Sequence, residues 1–131
     1  MSNVPSNLRY TKDHEWIRLD GDTGTIGITD HAQKELGDIV YVELPNSGEE
    51  VIAAETFGTV ESVKAVSEVF SPVTGKVTAV NTKLQEHPEL LNSDPHAGAW
   101  LIRVQISDPK ELEGLMSSEE YEAYIQEAES S

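Results

Sequence analysis

Lys64 is the residue on which chemistry could turn. Between Glu35 and Gly75 the chain carries eight carboxylates, at Glu35, Asp38, Glu43, Glu49, Glu50, Glu55, Glu61 and Glu68, and Lys64 is the one Lys or Arg among them. A lone primary amine offers two chemistries: it can attack a carbonyl itself, or it can be acylated and carry a group. The first wants burial or a neighbouring cation to activate the amine. No cation adjoins Lys64 in the sequence, so an unmodified Schiff-base role is a poor fit. The second wants access. β-Branched Val63 and Val66 favour strand on either side, and small Ala65 leaves room for an incoming group.

Other constellations carry less. The histidines His14, His31, His87 and His96 form no HxH, HxxxH or HExxH spacing, and adjacent His14 and Glu15 on a strand point to opposite faces. No Walker A loop, G-x-G-x-x-G or G-x-S-x-G is present. Carboxylates are so plentiful that a general-acid pair could be drawn almost anywhere. The chain has no cysteine, which removes disulfides, thiolate zinc sites, iron–sulfur clusters and a catalytic thiol together. A net charge of −15 argues against nucleic acid and anionic membrane surfaces as partners. Met1 to Leu8 show neither a basic nor an apolar leader region, so a cytoplasmic bacterial protein is expected, or a mitochondrial-matrix one if a transit peptide has been removed.

The elements that must position Lys64 read as short strands and turns. Glu15 to Arg18, Thr25 to Thr29, Asp38 to Leu44, Val51 to Ala54, Thr56 to Val63, Val66 to Phe70 and Lys76 to Val80 are β-rich, with breaks at Asp20-Gly21-Asp22, Pro45 to Gly48 and Ser71 to Gly75. Ala99 to Ile106 places Trp100, Ile102, Val104 and Ile106 on one face, a half-buried strand pattern. Two strand–turn–strand units flanking Lys64 suggest a quasi-symmetric flattened barrel. Helices are peripheral. Thr29 caps a short one through Leu36 with Gly37 after it, Asp108 and Pro109 open another, and Ser117 to Glu120 is a capping box for a C-terminal helix through about Glu127. Glu127 and Glu129 oppose that helix's dipole, so its end should fray. One domain spanning 1–131 is expected, with a core over about 8–107 and a helical segment over 108–131.

The segment Glu61-Ser62-Val63-Lys64-Ala65-Val66-Ser67-Glu68, followed by Ser71-Pro72-Val73-Thr74-Gly75, resembles the lipoyl-attachment motif of the glycine cleavage H proteins. The likeness extends to Asp13 to Trp16, Ile26 to Gln33, Gly37 to Pro45, Asn81, Leu91-Asn92 and Gly98 to Leu101, nearly the whole chain. It implies a mainly β, biotinyl/lipoyl-like barrel-sandwich hybrid with peripheral short helices and a C-terminal helix. It also implies lipoic acid joined by an amide to Lys64 at a hairpin tip, within Glu61, Ser62, Val63, Ala65, Ser67 and Glu68.

That resemblance implies a carrier and not an enzyme. Its partners would be a pyridoxal-phosphate glycine decarboxylase (P protein), a tetrahydrofolate-dependent aminomethyltransferase (T protein), a dihydrolipoyl dehydrogenase (L protein) and the lipoate-attaching enzymes. A monomer is expected. The arm's aminomethyl load would carry an ammonium group, and the expected resting place is near His14, with Glu15 as its first partner and Asp13 and Glu68 as helpers. No metal is expected. Three rival readings are a lipoate-relay protein, a carrier domain of another complex, although that usually shows D-K-A or M-K-M at its lysine, and an unmodified structural or adaptor domain of the same fold.

Overall fold

The computed structural model describes residues 4–130. Its strands fall into two antiparallel sheets. The larger runs β1 (Arg9–Tyr10), β2 (Glu15–Asp20), β3 (Thr23–Ile28), β9 (Ile102–Ile106), β8 (Gly75–Val80) and β5 (Glu50–Val51) in spatial order. The smaller runs β4 (Ile39–Glu43), β6 (Thr56–Ser62) and β7 (Val66–Phe70). Short connections favour antiparallel neighbours: β2 and β3 are joined by Gly21-Asp22, and Gly21 takes the left-handed φ of 63° that such a two-residue turn needs.

Alternation along the strands fills the interior between the sheets. Ile17, Ile26, Val51, Val77, Ile102 and Val104 form one buried cluster and Ile28, Ile39, Val42, Val60, Val69 and Leu101 another, with Phe57 packed against both. Helix α1 (Asp30–Leu36) is capped by Thr29, whose Oγ1 accepts from the Ala32 N–H at 3.2 Å, and ends at Gly37 with φ 81°. Short helices α2 (Lys83–Glu86) and α3 (Leu90–Ser93) bury Leu84 and Leu91 under the smaller sheet's cluster.

The C-terminal segment is fastened by specific contacts. Asp108 caps a 3₁₀ turn over Pro109–Gly114, and Glu111 there accepts from the Thr74 N–H at 2.6 Å and from its hydroxyl at 2.8 Å. The capping box forms as the sequence predicts. Glu120 accepts from the Ser117 N–H at 2.9 Å, Ser117 Oγ accepts from the Glu120 N–H at 3.2 Å, and α4 (Ser118–Ser130) follows. Tyr121 of α4 stacks on Tyr10 at 4.6 Å within a third cluster that includes Leu8, Trp16 and Ile125. The side chain of Glu129 lies outside the described residues.

Three expectations need correction. The strand expected from Ala99 begins at Ile102: the Ala99 N–H donates to the Asp94 carbonyl at 3.0 Å and the Trp100 carbonyl accepts from Asn81 Nδ2 at 2.8 Å, so neither group joins the ladder. The strand expected over Val51 to Ala54 ends at Val51, and Ala54 turns away with φ 69°. The quasi-symmetric barrel about Lys64 is not closed among the described residues: β7 and β8, expected as one unit, belong to different sheets.

Candidate functional site

The hairpin of β6 and β7 presents Lys64. Glu61 faces Val66 across the ladder, which leaves residues 62–65 to turn the chain. Ser62 organises that turn. Its N–H donates to the Ala65 carbonyl at 2.8 Å, and its Oγ accepts from the N–H groups of Ala65 at 3.1 Å and Lys64 at 3.3 Å. The Val63 N–H donates to the Asp38 carbonyl at 3.0 Å, which ties the tip to the segment between α1 and β4. With the amide donors of residues 62–65 satisfied, the tip is held without any contribution from the lysine side chain. Lys64 is exposed, and among the described residues its amine makes no ion pair.

A platform underlies the lysine. A Cβ built on Gly37 would stand 3.7 Å from Lys64 Cε, so the aliphatic stem passes over that glycine. Asn92 fixes the platform from beneath. Its Nδ2 donates to the Gly37 carbonyl at 2.8 Å and to Gln33 Oε1 at 3.0 Å, and its Oδ1 accepts from the Ile39 N–H at 2.9 Å.

A second feature lies at the far end of β7. Thr11, Asp13, Glu15, Ala54, Phe70 and Pro72 contribute to a cleft of about 180 Å³. Glu15 is only 2% exposed, so it is a deeply placed acid and not a solvated one. Its Oε1 accepts from the Thr11 hydroxyl at 2.6 Å and its Oε2 from the Phe70 N–H at 3.2 Å. Burial raises its pKa from 4.5 to about 7, against the downward pull of those two hydrogen bonds. Asp13 is exposed and lines the same cleft, its N–H held by Thr11 Oγ1 at 3.2 Å.

The structure does not gather all four cleft candidates. His14, at φ 69°, turns its ring toward α4: Nδ1 is 2.7 Å from the Tyr121 hydroxyl, which is also 2.7 Å from Thr29 Oγ1. The His31 ring lies 4.6 Å away, and burial followed by the nearby His31 lowers the His14 pKa. Glu68 stands exposed on β7 opposite Thr59 and does not line the cleft. Glu61 and Ser67 are half-buried, while Val63 and Ala65 are exposed beside Lys64. Sequence reasoning missed Thr11 and Asn92 as organisers. A lone Thr four residues before a buried acid, or an Asn after two leucines, gives no signal without its partners.

Residues 8–128 match the glycine cleavage H-protein family. The chain belongs to that family. It is 58% identical over 127 residues to the glycine cleavage system H protein of Halothermothrix orenii, covering 97% of this chain and 99% of that one. The H protein of Rubrobacter xylanophilus is 54% identical over 129 residues, covering 98% and 100%. The crystal structure of an H protein from Mycobacterium marinum superposes with a TM-score of 0.87 at 37% identity, covering 94% of this chain and 99% of that one. The family is a lipoyl carrier of the glycine cleavage system. An exposed amine on a turn that is braced by its own backbone suits a covalently attached group, since acylating Lys64 would break none of the contacts that shape the H-protein tip. No helix among the described residues is long and apolar enough to cross a membrane.

Proposed function

We propose that Lys64 carries the lipoyl group and that the chain shuttles between the three enzymes of the glycine cleavage system without catalysing a step itself. The observation that carries this reading is the exposed, unpaired Lys64 amine on a tip whose shape depends on Ser62 and not on the lysine. Held on Lys64, the lipoyl group would supply a redox-active disulfide able to accept an aminomethyl unit and to be regenerated from its dithiol, the chemistry that the P, T and L proteins would each use in turn. Tethering at Lys64 keeps that chemistry local once a partner docks.

The remaining work falls to residues of the chain. β7 runs from the tip to Phe70, and Phe70 lines the cleft that holds Glu15 and Asp13. Glu15 with its raised pKa is poised between charged and neutral forms near pH 7, so an arriving ammonium draws it to the carboxylate. Thr11 and the Phe70 N–H hold that carboxylate in place, and Asp13 adds charge at the exposed side. The pairing shelters the ammonium end of the load from water.

Reconstitution tests the reading. Lipoylated chain, P protein, T protein, L protein, glycine, tetrahydrofolate and NAD should give glycine-dependent NADH. Lys64→Arg should give none. NADH formation that survives the substitution would refute the proposal.

A further inference from the structure

The outer face of the smaller sheet is unusual in what it shows to solvent. Tyr41 is 52% exposed and Val66 64%, while Val63 at 71% and Val40 at 49% flank them. Val40 owes its position to a bulge: Ile39 pairs with Ser62 and Tyr41 with Glu61, which leaves Val40 as the extra residue. Register places these side chains together. Tyr41, Glu61 and Val66 are successive cross-strand partners, and so are Glu43, Thr59 and Glu68 one row further from the tip. Val42 and Val60, between those rows, are buried at 3% and 0%, so both rows point outward. Beside Lys64 the face therefore carries Tyr41 and Val66 on either side of half-buried Glu61, with Val40 and Val63 alongside, and it is backed by a row in which Glu43 and Glu68 flank Thr59.

Resting on the carrier reading above, we propose that this face is the docking surface for the enzyme that loads the arm, with Tyr41 as its apolar anchor and Glu43 and Glu68 as its charged border. The surface it fits is an apolar depression rimmed by Lys and Arg. Charge complementarity argues for that occupant: an enzyme that handles an amino-acid carboxylate and a phosphate-bearing cofactor has cause to place cations around its mouth. Acylation sharpens the match, because it removes the one Lys or Arg charge between Glu35 and Gly75 and leaves eight carboxylates unopposed there. Tyr41 stands at the β4 edge of that row with Glu61 beside it, and a large exposed aromatic side chain next to charge is the kind of residue that anchors a binding hot spot.

Tyr41→Thr and Glu43→Gln test this, since both lie on β4, at the opposite edge of the sheet from β7 and the Glu15 cleft. The lipoylated variants are titrated as substrates of the P protein, with glycine-dependent release of carbon dioxide as the readout. Each substitution is expected to raise the KM for the carrier about tenfold while kcat stays within about twofold, and Glu43→Gln should also weaken the dependence of KM on salt. The charge-matched pair Glu113→Gln and Glu119→Gln, exposed in the C-terminal segment, should leave KM unmoved. An unchanged KM for both β4 variants, or an equal rise in the C-terminal pair, overturns the docking surface alone. A rise seen only with the aminomethyltransferase overturns the assignment to the loading enzyme. If lipoylated parent chain supports no release of carbon dioxide, the carrier reading falls and this inference falls with it.

Discussion

The Phe70 N–H donates to Glu15 Oε2 across 3.2 Å, joining the start of β2 to the last residue of β7. The contact ties the larger sheet to the hairpin that presents Lys64, and it places an acid with a pKa of about 7 in the cleft.

Glu15 should leave its mark on stability against pH. Its pKa rises from 4.5 to about 7 on folding, so across that window the folded chain holds a proton that the unfolded chain has released. Stability is fully present below 4.5 and is lost as pH climbs to 7, by about 3 kcal/mol in the limit. Glu15→Gln keeps an acceptor for Phe70 but cannot ionise. Urea unfolding at pH 4.5 and 7.5 should show the variant gaining on the parent at the higher pH. Parallel behaviour would contradict the shift.

The same variant should fail to protect the load. Replacing a charge-assisted contact worth about 1.5 kcal/mol or more predicts roughly tenfold faster hydrolysis of the aminomethyl-loaded chain. Ammonia release from purified loaded protein measures it, and a rate equal to the parent's would remove Glu15 from this role.

Tyr121→Phe should loosen α4. The hydroxyl it deletes lies 2.7 Å from both His14 Nδ1 and Thr29 Oγ1, and losing it costs about 1–3 kcal/mol in urea unfolding because buried partners are stranded. Folding lowers the His14 pKa, through burial first and His31 second, so the histidine contributes stability above its ordinary 6.5 that is lost as pH falls through the depressed folded value. Amide protection in α4, measured relative to the intrinsic exchange rate at each pH, should fall on acidification below 6.5 in the parent, and less so in His14→Gln.

Ser62→Ala removes the acceptor for the Lys64 and Ala65 amides. A loss of about 1 kcal/mol is expected, with faster exchange of those two amides and slower lipoylation by a lipoate ligase. Unchanged exchange would show that the tip does not depend on this hydroxyl.

What could be read from sequence was local. The Thr29 cap, Gly37 terminus and Ser117–Glu120 box each depend on residues within one helix, and each formed as expected. Lys64 was visible because an absence of other cations over forty residues is a one-dimensional fact. Glu15 was expected as a charged group and found buried, since its surroundings come from Phe70, fifty-five positions away. His14 left the cleft for the same kind of reason: Tyr121, far along the chain, claims its ring. β1, two residues long, exists through pairing of Arg9 with Ile17 and Tyr10 with Trp16, and no intrinsic pattern announces it. Trp100 followed alternation in sequence but broke it in space, where Arg103 lies over its ring.

The most direct measurement is the intact mass of the chain after incubation with a lipoate ligase, lipoate and ATP, followed by peptide mapping. The account predicts a gain of one lipoyl group, located on Lys64 and absent from Lys64→Arg. No gain, or a gain located on any other lysine, would contradict it.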